Sequence, residues 1–221
     1  MKVRINGWKT NMEKISLMRN NEIMLYLIGV DHKYQHISTL NAPFEKTIKN
    51  LVKQYQIQVL AEEFNQESLS DGEKESTCQK IVNELINNGT DIKHLFCEMD
   101  KQERQRIGML IDPNEISKEY NTFKNELRAK KIYIKTTNEL IYQYQSKKGF
   151  WSKRENHWLN QLSKSLNENK IILFICGSSH IINKSFTNLL KSKNIDNKIL
   201  IEDIDEYLDK LSQPHTAFKF Y

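Results

Sequence analysis

Two short apolar runs, Ile23–Val30 and Ile171–Cys176, constrain this 221-residue chain more than any other feature. Each is far too short to span a membrane and too continuous for a strand with one wet face. Both read as strands buried on two sides, which is the habit of parallel sheets covered by helices. Weaker apolar segments at 57–61, 93–97 and 198–201 alternate with stretches of helical spacing. Phe44, Ile48, Leu51 and Val52 form one such stretch; Cys78, Ile81, Val82 and Leu85 form the next. Strand–helix alternation of this kind predicts an α/β fold, a mainly parallel sheet of four to six strands with helices on both faces. From Lys101 to Lys170 the strand character vanishes, so this block reads as a helical insertion ahead of the late strand. Residues 1–22 are polar and charged and read as an extension outside the core; 23–221 read as one domain.

Charge and cysteine usage narrow the functional classes. Lys and Arg number 33 against 28 Asp and Glu, a net +5 spread along the chain. That balance is too weak and too dispersed to argue for nucleic acid, and Lys130-Lys131 and Lys147-Lys148 read as solvated helix faces. No apolar run approaches the roughly 18–20 residues of a membrane helix. The three cysteines, Cys78, Cys97 and Cys176, lie far apart without a CxxC. A disulfide framework and a zinc finger are both excluded, and a reducing compartment such as the cytoplasm is favoured. A small molecule or peptide is the expected partner. Nothing in the pattern bears on oligomeric state.

Ligands of open parallel sheets bind beyond the carboxyl ends of the strands. The residues there are Gly29-Val-Asp-His32, Glu62-Glu63, Glu98-Met-Asp100, Gly177-Ser-Ser-His180 and Glu202-Asp203. Apolar strand followed by Gly-x-x-His occurs twice, in a chain with only 6 histidines. Glycine lets backbone approach a ligand closely, and the histidine three residues on leaves the strand toward the crevice. Two imidazoles with carboxylates suit either of two chemistries: binding a divalent metal, or general acid–base work at neutral pH. In the metal version His32, Glu63 and His180 are the ligands and the second Glu activates water. In the metal-free version a histidine is the base. Arg154, one helical turn from Trp158, is placed to reach a strand-end carboxylate or an anionic transition state. His32, Glu62, Glu63, Arg154 and His180 are therefore the candidate catalytic residues, with Asp31, Asp100, Arg104 and Ser178 as candidate substrate contacts. Plainer roles stand beside these. Each histidine could cap a helix, Arg154 could serve a structural ion pair, and Asp100 with Glu103 has capping-box spacing. Cys176 reads as packing, and Ser178-Ser179 lacks the spacing of a nucleophile elbow.

Gly29-x-x-His32 after the first strand, Glu62-Glu63 after the second, Arg154 with Trp158 on a later helix and Gly177-x-x-His180 after a late strand resemble the Tiki/TraB superfamily. That grouping also takes in erythromycin-esterase-like and ChaN-like proteins. The likeness spans about Met24 to Leu200, and it departs from better-known members in the Gly-Val-Asp-His wording of the first motif and in the short chain. It implies a hydrolase-type site: a metal-dependent peptidase in Tiki-like members, an esterase in others, and a haem binder in ChaN-like ones. For a haem or small-ligand binder, Tyr34 and Met99 would be the ligands to inspect. A defence-system effector acting on nucleic acid is the remaining class, testable by a steep salt dependence of binding.

Overall fold

A computed structural model describes residues 24–36, 42–69, 73–110, 112–134 and 136–212. The N-terminal extension and the aromatic tail from His215 lie outside them. Five parallel strands form one sheet: β1 (Leu25–Val30), β2 (Val59–Glu62), β3 (Lys93–Phe96), β4 (Ile172–Gly177) and β5 (Asn197–Ile201), in the order β3-β2-β4-β1-β5. The two runs that dominate the sequence, β1 and β4, lie side by side near the middle, with Gly29 paired to Cys176 and Val30 to Gly177. Both are almost wholly buried, as strands covered on two faces must be.

Helices α1 (Ala42–Gln54), α2 (Thr77–Asn87), α3 (Lys101–Arg106), α4 (Pro113–Ala129), α5 (Thr137–Lys147), α6 (Phe150–Asn167), α7 (Ser178–Ile182), α8 (Ser185–Ser192) and α9 (Ile204–Ser212) complete the fold. The expected insertion is α3 to α6. Side chains alternate across a strand, so each strand feeds two cores. Leu173 and Ile175 join Phe44, Ile48, Ile81 and Ile204 on the side of α1, α2 and α9. Ile172, Phe174 and Cys176 join Trp158, Leu162 and Phe186 on the side of α6 and α8. A third, smaller cluster of Phe123, Leu127, Leu140, Tyr144 and Phe150 holds the insertion together.

The same alternation separates the two adjacent glutamates at the end of β2. Leu60 packs on the α1/α2 side and Ala61 on the α6 side. Glu62 therefore faces α2, and Glu63 faces α6. Gly29 has a packing role in place of the ligand approach expected of it. A Cβ there would lie 2.0 Å from the carbonyl oxygen of Glu202 and 2.9 Å from Cα of Ser178. Backbone, not a ligand, is what approaches it.

Candidate active site

β2, β4 and β1 are consecutive in the sheet, so Glu63, Gly177 and His32 leave it at one edge. Glu63 is the centre. Its Oε2 accepts the Gly177 N–H at 2.7 Å. Its Oε1 lies 3.7 Å from Nε2 of His32 and 3.7 Å from Nε2 of His180. Arg154 Nη2 donates to the same Oε1 at 2.5 Å and to Glu98 Oε2 at 2.6 Å. A Cβ at Gly177 would stand 3.4 Å from Glu63 Oε2, an ordinary contact, so this approach does not depend on glycine.

Arg154 is a clamp between two buried carboxylates. Its Nε donates to Glu98 at 3.1 Å and its Nη1 to Gln145 at 3.4 Å, while the guanidinium carbon lies 5.4 Å from the Trp158 ring centroid. The shared face of Arg154 and Trp158 expected from i, i+4 spacing is thus present. Burial works against the charge of Arg154, but Glu98 and Glu63 outweigh it and raise its pKa further. Burial would likewise push Glu98 up; the charge and hydrogen bonds of Arg154, with Arg104 and the Trp158 N–H, hold it below the ordinary carboxylate range.

The two histidines are held by different partners. His180 is packed against two indoles: Trp151 stacks on it at 3.7 Å and Trp158 meets it edge-on at 4.5 Å. Its Nδ1 is 2.7 Å from Glu155 Oε1, which also accepts the Ser185 hydroxyl at 2.5 Å; Trp151 Nε1 in turn donates to Ser185 at 2.7 Å. Burial, with the positive charges of Arg154 and His32, pushes His180 down to about 2. Burial pushes the Glu155 carboxyl up to about 7 against the hydrogen bond from Ser185, with the charge of Glu63 adding. The pair therefore keeps its proton on Glu155 and its imidazole neutral.

His32 is fixed by Gln35, one turn on in the short 3-10 segment His32–Gln35. Gln35 Nε2 donates to the Glu63 carbonyl at 3.1 Å and to Glu62 Oε2 at 3.2 Å. A carbonyl only accepts, so the amide nitrogen must face it and the amide oxygen must face His32 Nδ1, 2.7 Å away. Nδ1 of His32 then carries a proton, and Nε2 is the atom turned toward Glu63. The short segment is itself tied to α9, because the hydroxyl of Tyr34 donates to Asp205 and Lys33 pairs with it at 3.0 Å.

The other candidate residues divide. Glu62 does not join Glu63; it is fully buried on the opposite face, where Ser76, His94 and Gln35 donate to it. Asp31 is exposed and caps the His32–Gln35 segment through the Lys33 N–H at 3.0 Å. Asp100 is the N-cap of α3 in a complete capping box with Glu103. Ser178 opens α7 beside Gly29. Arg104 faces a cavity described below. The three cysteines are free and buried, and burial raises each thiol, so none is presented as a nucleophile.

The metal triad His32, Glu63 and His180 needs correction. Among the described residues no group of three or more His, Cys, Asp or Glu side chains is placed to hold a metal ion. The reason lies in the donor set: the Glu63 oxygen facing both imidazoles already accepts from Arg154, so a divalent ion there would adjoin a guanidinium. The haem ligands suggested by likeness fare no better. Tyr34 is bonded to Asp205, and Met99 is buried with its carbonyl accepting from Asn65 and Arg104. Lys147 and Lys148 pair with Glu126 and Glu119 on α4, which leaves no basic patch at that dipeptide. No helix among the described residues is long and apolar enough to cross a membrane.

Glu155 and Gln35 are the site residues that sequence reasoning did not single out; Glu98 stood among the strand-end residues without an assigned role. Glu155 carried a usable signal. It falls in the buried stripe of Trp151, Trp158, Leu159 and Leu162 on α6, where a carboxylate needs a partner. Gln35 carried none.

Fold and cluster together define an α/β protein with an all-parallel sheet and a His–Glu–Arg cluster at the sheet's carboxyl edge. No family model matches the chain, and neither the curated proteins nor the solved structures contain a match to it.

Proposed function

We propose that this chain is a hydrolase of Tiki/TraB-like type that activates water without a metal, on an ester or amide of a small molecule or peptide. The observation that carries the reading is the convergence of two imidazole Nε2 atoms, each 3.7 Å from one carboxylate oxygen of Glu63, at the sheet edge where ligands of this architecture bind. The order of Gly-x-x-His, Glu, Arg and Gly-x-x-His along the chain supports the same class.

The environments suit different tasks. His32, with its Nδ1 proton held on Gln35, has Nε2 free to accept a proton, and His180 is a neutral ring backed by a protonated carboxyl. As water adds to the carbonyl carbon, its proton passes to Nε2 of His32, which is open to solvent and returns it to bulk water. The alcohol or amine leaves with the Nε2 proton of His180 while the Glu155 proton moves to Nδ1, so the buried ring never holds a net charge. A proton from water at Nε2, with Nδ1 returning its own to Glu155, resets the pair. Glu63, fixed by Arg154 and the Gly177 N–H, orients both rings. Two titratable groups pushed apart by their surroundings are the usual mark of acid–base pairs.

The test is turnover of a panel of p-nitrophenyl esters and peptide anilides by wild type, Glu63→Gln and His32→Ala. Wild-type hydrolysis that falls at least 100-fold in Glu63→Gln supports the reading. Hydrolysis that survives both substitutions at the wild-type rate overturns it.

A further inference from the structure

A cavity of about 420 Å³ opens between α3, the helices of the insertion and the turn after β2. It adjoins the Arg154 clamp: Gln145 on its wall accepts from Arg154 Nη1, and Arg104 on its wall lies 3.7 Å from Glu98, the second carboxylate of the clamp. The volume is that of sites for small ligands. Its lining is mixed. Met109, Ile116 and Phe150 join Tyr120 and Tyr144, whose rings meet edge to face at 4.9 Å. Arg104 and Lys101 supply the cations.

These cations are not used up by the protein. Glu98 is already satisfied by Arg154, the Trp158 N–H and the Met99 N–H. Arg104 is held by its Nε, which donates to the Met99 carbonyl at 3.0 Å, and by its Nη2, 3.7 Å from Glu98 Oε1, so its position is set on the cavity wall. The acid on the wall, Glu67, accepts the backbone N–H of Lys101 at 2.7 Å, and Lys101 Nζ has no carboxylate partner among the described residues. A pre-positioned guanidinium beside an aromatic wall matches a ligand with an acidic head and an apolar body.

We propose that this cavity binds a small amphiphilic anion, an aromatic or aliphatic body bearing one carboxylate or phosphate, with Arg104 as the anion contact. The binding stands on the cavity alone; that the bound molecule is the substrate rests on the hydrolase reading above. In that case the class hydrolysed is one of acylated amino acids, short peptides with a free carboxylate, or esters and amides that carry a phosphate. Arg104 is then a specificity residue.

The test uses the full chain and four probes: N-acetylphenylalanine, its uncharged amide, phenyl phosphate and inorganic phosphate. Affinity is read by titration, and location by the methyl NMR signals of Met109 and Ile116. The expected result is that at least one aromatic anion binds at least tenfold tighter than the amide and shifts those methyls, while inorganic phosphate binds at least tenfold more weakly than that anion. Comparing the carboxylate with the phosphate ester tells which head group is preferred. Arg104→Gln should erase the preference of acid over amide. Ile116→Trp, which adds bulk to the apolar lining, should weaken every aromatic probe at least tenfold and serves if Arg104→Gln fails to fold. An amide that binds as tightly as both anions, or shifts confined to other methyls, overturns the proposal. Binding as described without turnover keeps this inference and removes the hydrolase reading; turnover of neutral esters with no cavity shifts does the reverse.

Discussion

The two Gly-x-x-His segments carry the same pattern after neighbouring strands and end in opposite surroundings. His32 is 55% exposed at its side chain, held by a neutral amide, in a segment that α9 latches from outside. His180 is 2% exposed, stacked on one indole and edge-on to another, and backed by a carboxyl. Their glycines differ too: Gly29 is pressed by the Glu202 carbonyl, while Gly177 offers its N–H to Glu63. What a short motif conveys is therefore where a side chain leaves the sheet. What that side chain then does is set by the element packed over it, α6 in one case and solvent in the other.

The largest expected effect separates the glycines. Gly29→Ala places a Cβ 2.0 Å from backbone oxygen that cannot yield without moving the chain after β5. A loss of about 3 kcal/mol, the upper end for overpacking, should appear in urea denaturation. Gly177→Ala, 3.4 Å from the nearest side-chain oxygen, should cost under about 1 kcal/mol. Equal losses for the two would show that the glycines are equivalent after all.

Next come the rings. His180→Ala empties a slot between Trp151 and Trp158 and leaves Glu155 with only the Ser185 hydroxyl, so about 2–4 kcal/mol of stability should go. This departs from what two strand-end histidines suggest from sequence, namely that both lie outside the packed core. His32→Ala, by contrast, should leave the melting temperature within about 2 °C while removing hydrolysis. A His180→Ala protein as stable as His32→Ala would refute the buried assignment.

A smaller effect is visible only against pH. Glu155 is raised to about 7 and His180 lowered to about 2, from ordinary values of 4.5 and 6.5. Between pH 4.5 and 6.5 the unfolded pair holds one proton, on His180, and the folded pair holds one, on Glu155. Equal proton counts mean no slope in stability from this pair. In Glu155→Gln the folded side holds none, while unfolded His180 still protonates as pH falls below 6.5. The variant should then lose stability relative to wild type on acidification, by up to about 1.4 kcal/mol per pH unit. Chemical denaturation of both proteins at several values from pH 7 to 5 measures it, and a difference that does not change with pH counts against a shared proton. The smallest effect tests the other segment. Gln35→Ala should cost about 1–2 kcal/mol for the bonds it leaves unmade to Glu62 and Glu63, and should let Nδ1 and Nε2 of His32 share the proton in ¹⁵N NMR.

Much of this arrangement was legible residue by residue. Runs such as Ile172–Cys176 are apolar at every position because helices cover both faces, and that alone predicts a parallel sheet. Capping and periodicity placed α2, α3 and α6 for local reasons. The glutamate pair was legible only in part. A period of two says that Glu62 and Glu63 point opposite ways, yet which way is inward depends on whether α6 or α2 lies over each face. Glu155 was readable in principle as a carboxylate in an apolar stripe, whereas the Gln35 amide has no local signature.

From the sequence by itself came the elements, their buried faces and the edge at which His32, Glu63 and His180 leave the sheet, because backbone periodicity and burial act over a few residues. Only the tertiary structure decided that β4, far along the chain, inserts between β2 and β1 and so brings Glu63 within 3.7 Å of both rings. It alone decided that Arg154 donates to the Glu63 oxygen facing both rings and that one histidine is wet and the other dry. Strand order and helix docking are long-range choices, made by the fit of whole faces such as the Trp158–Phe174–Phe186 cluster, and no local pattern records them.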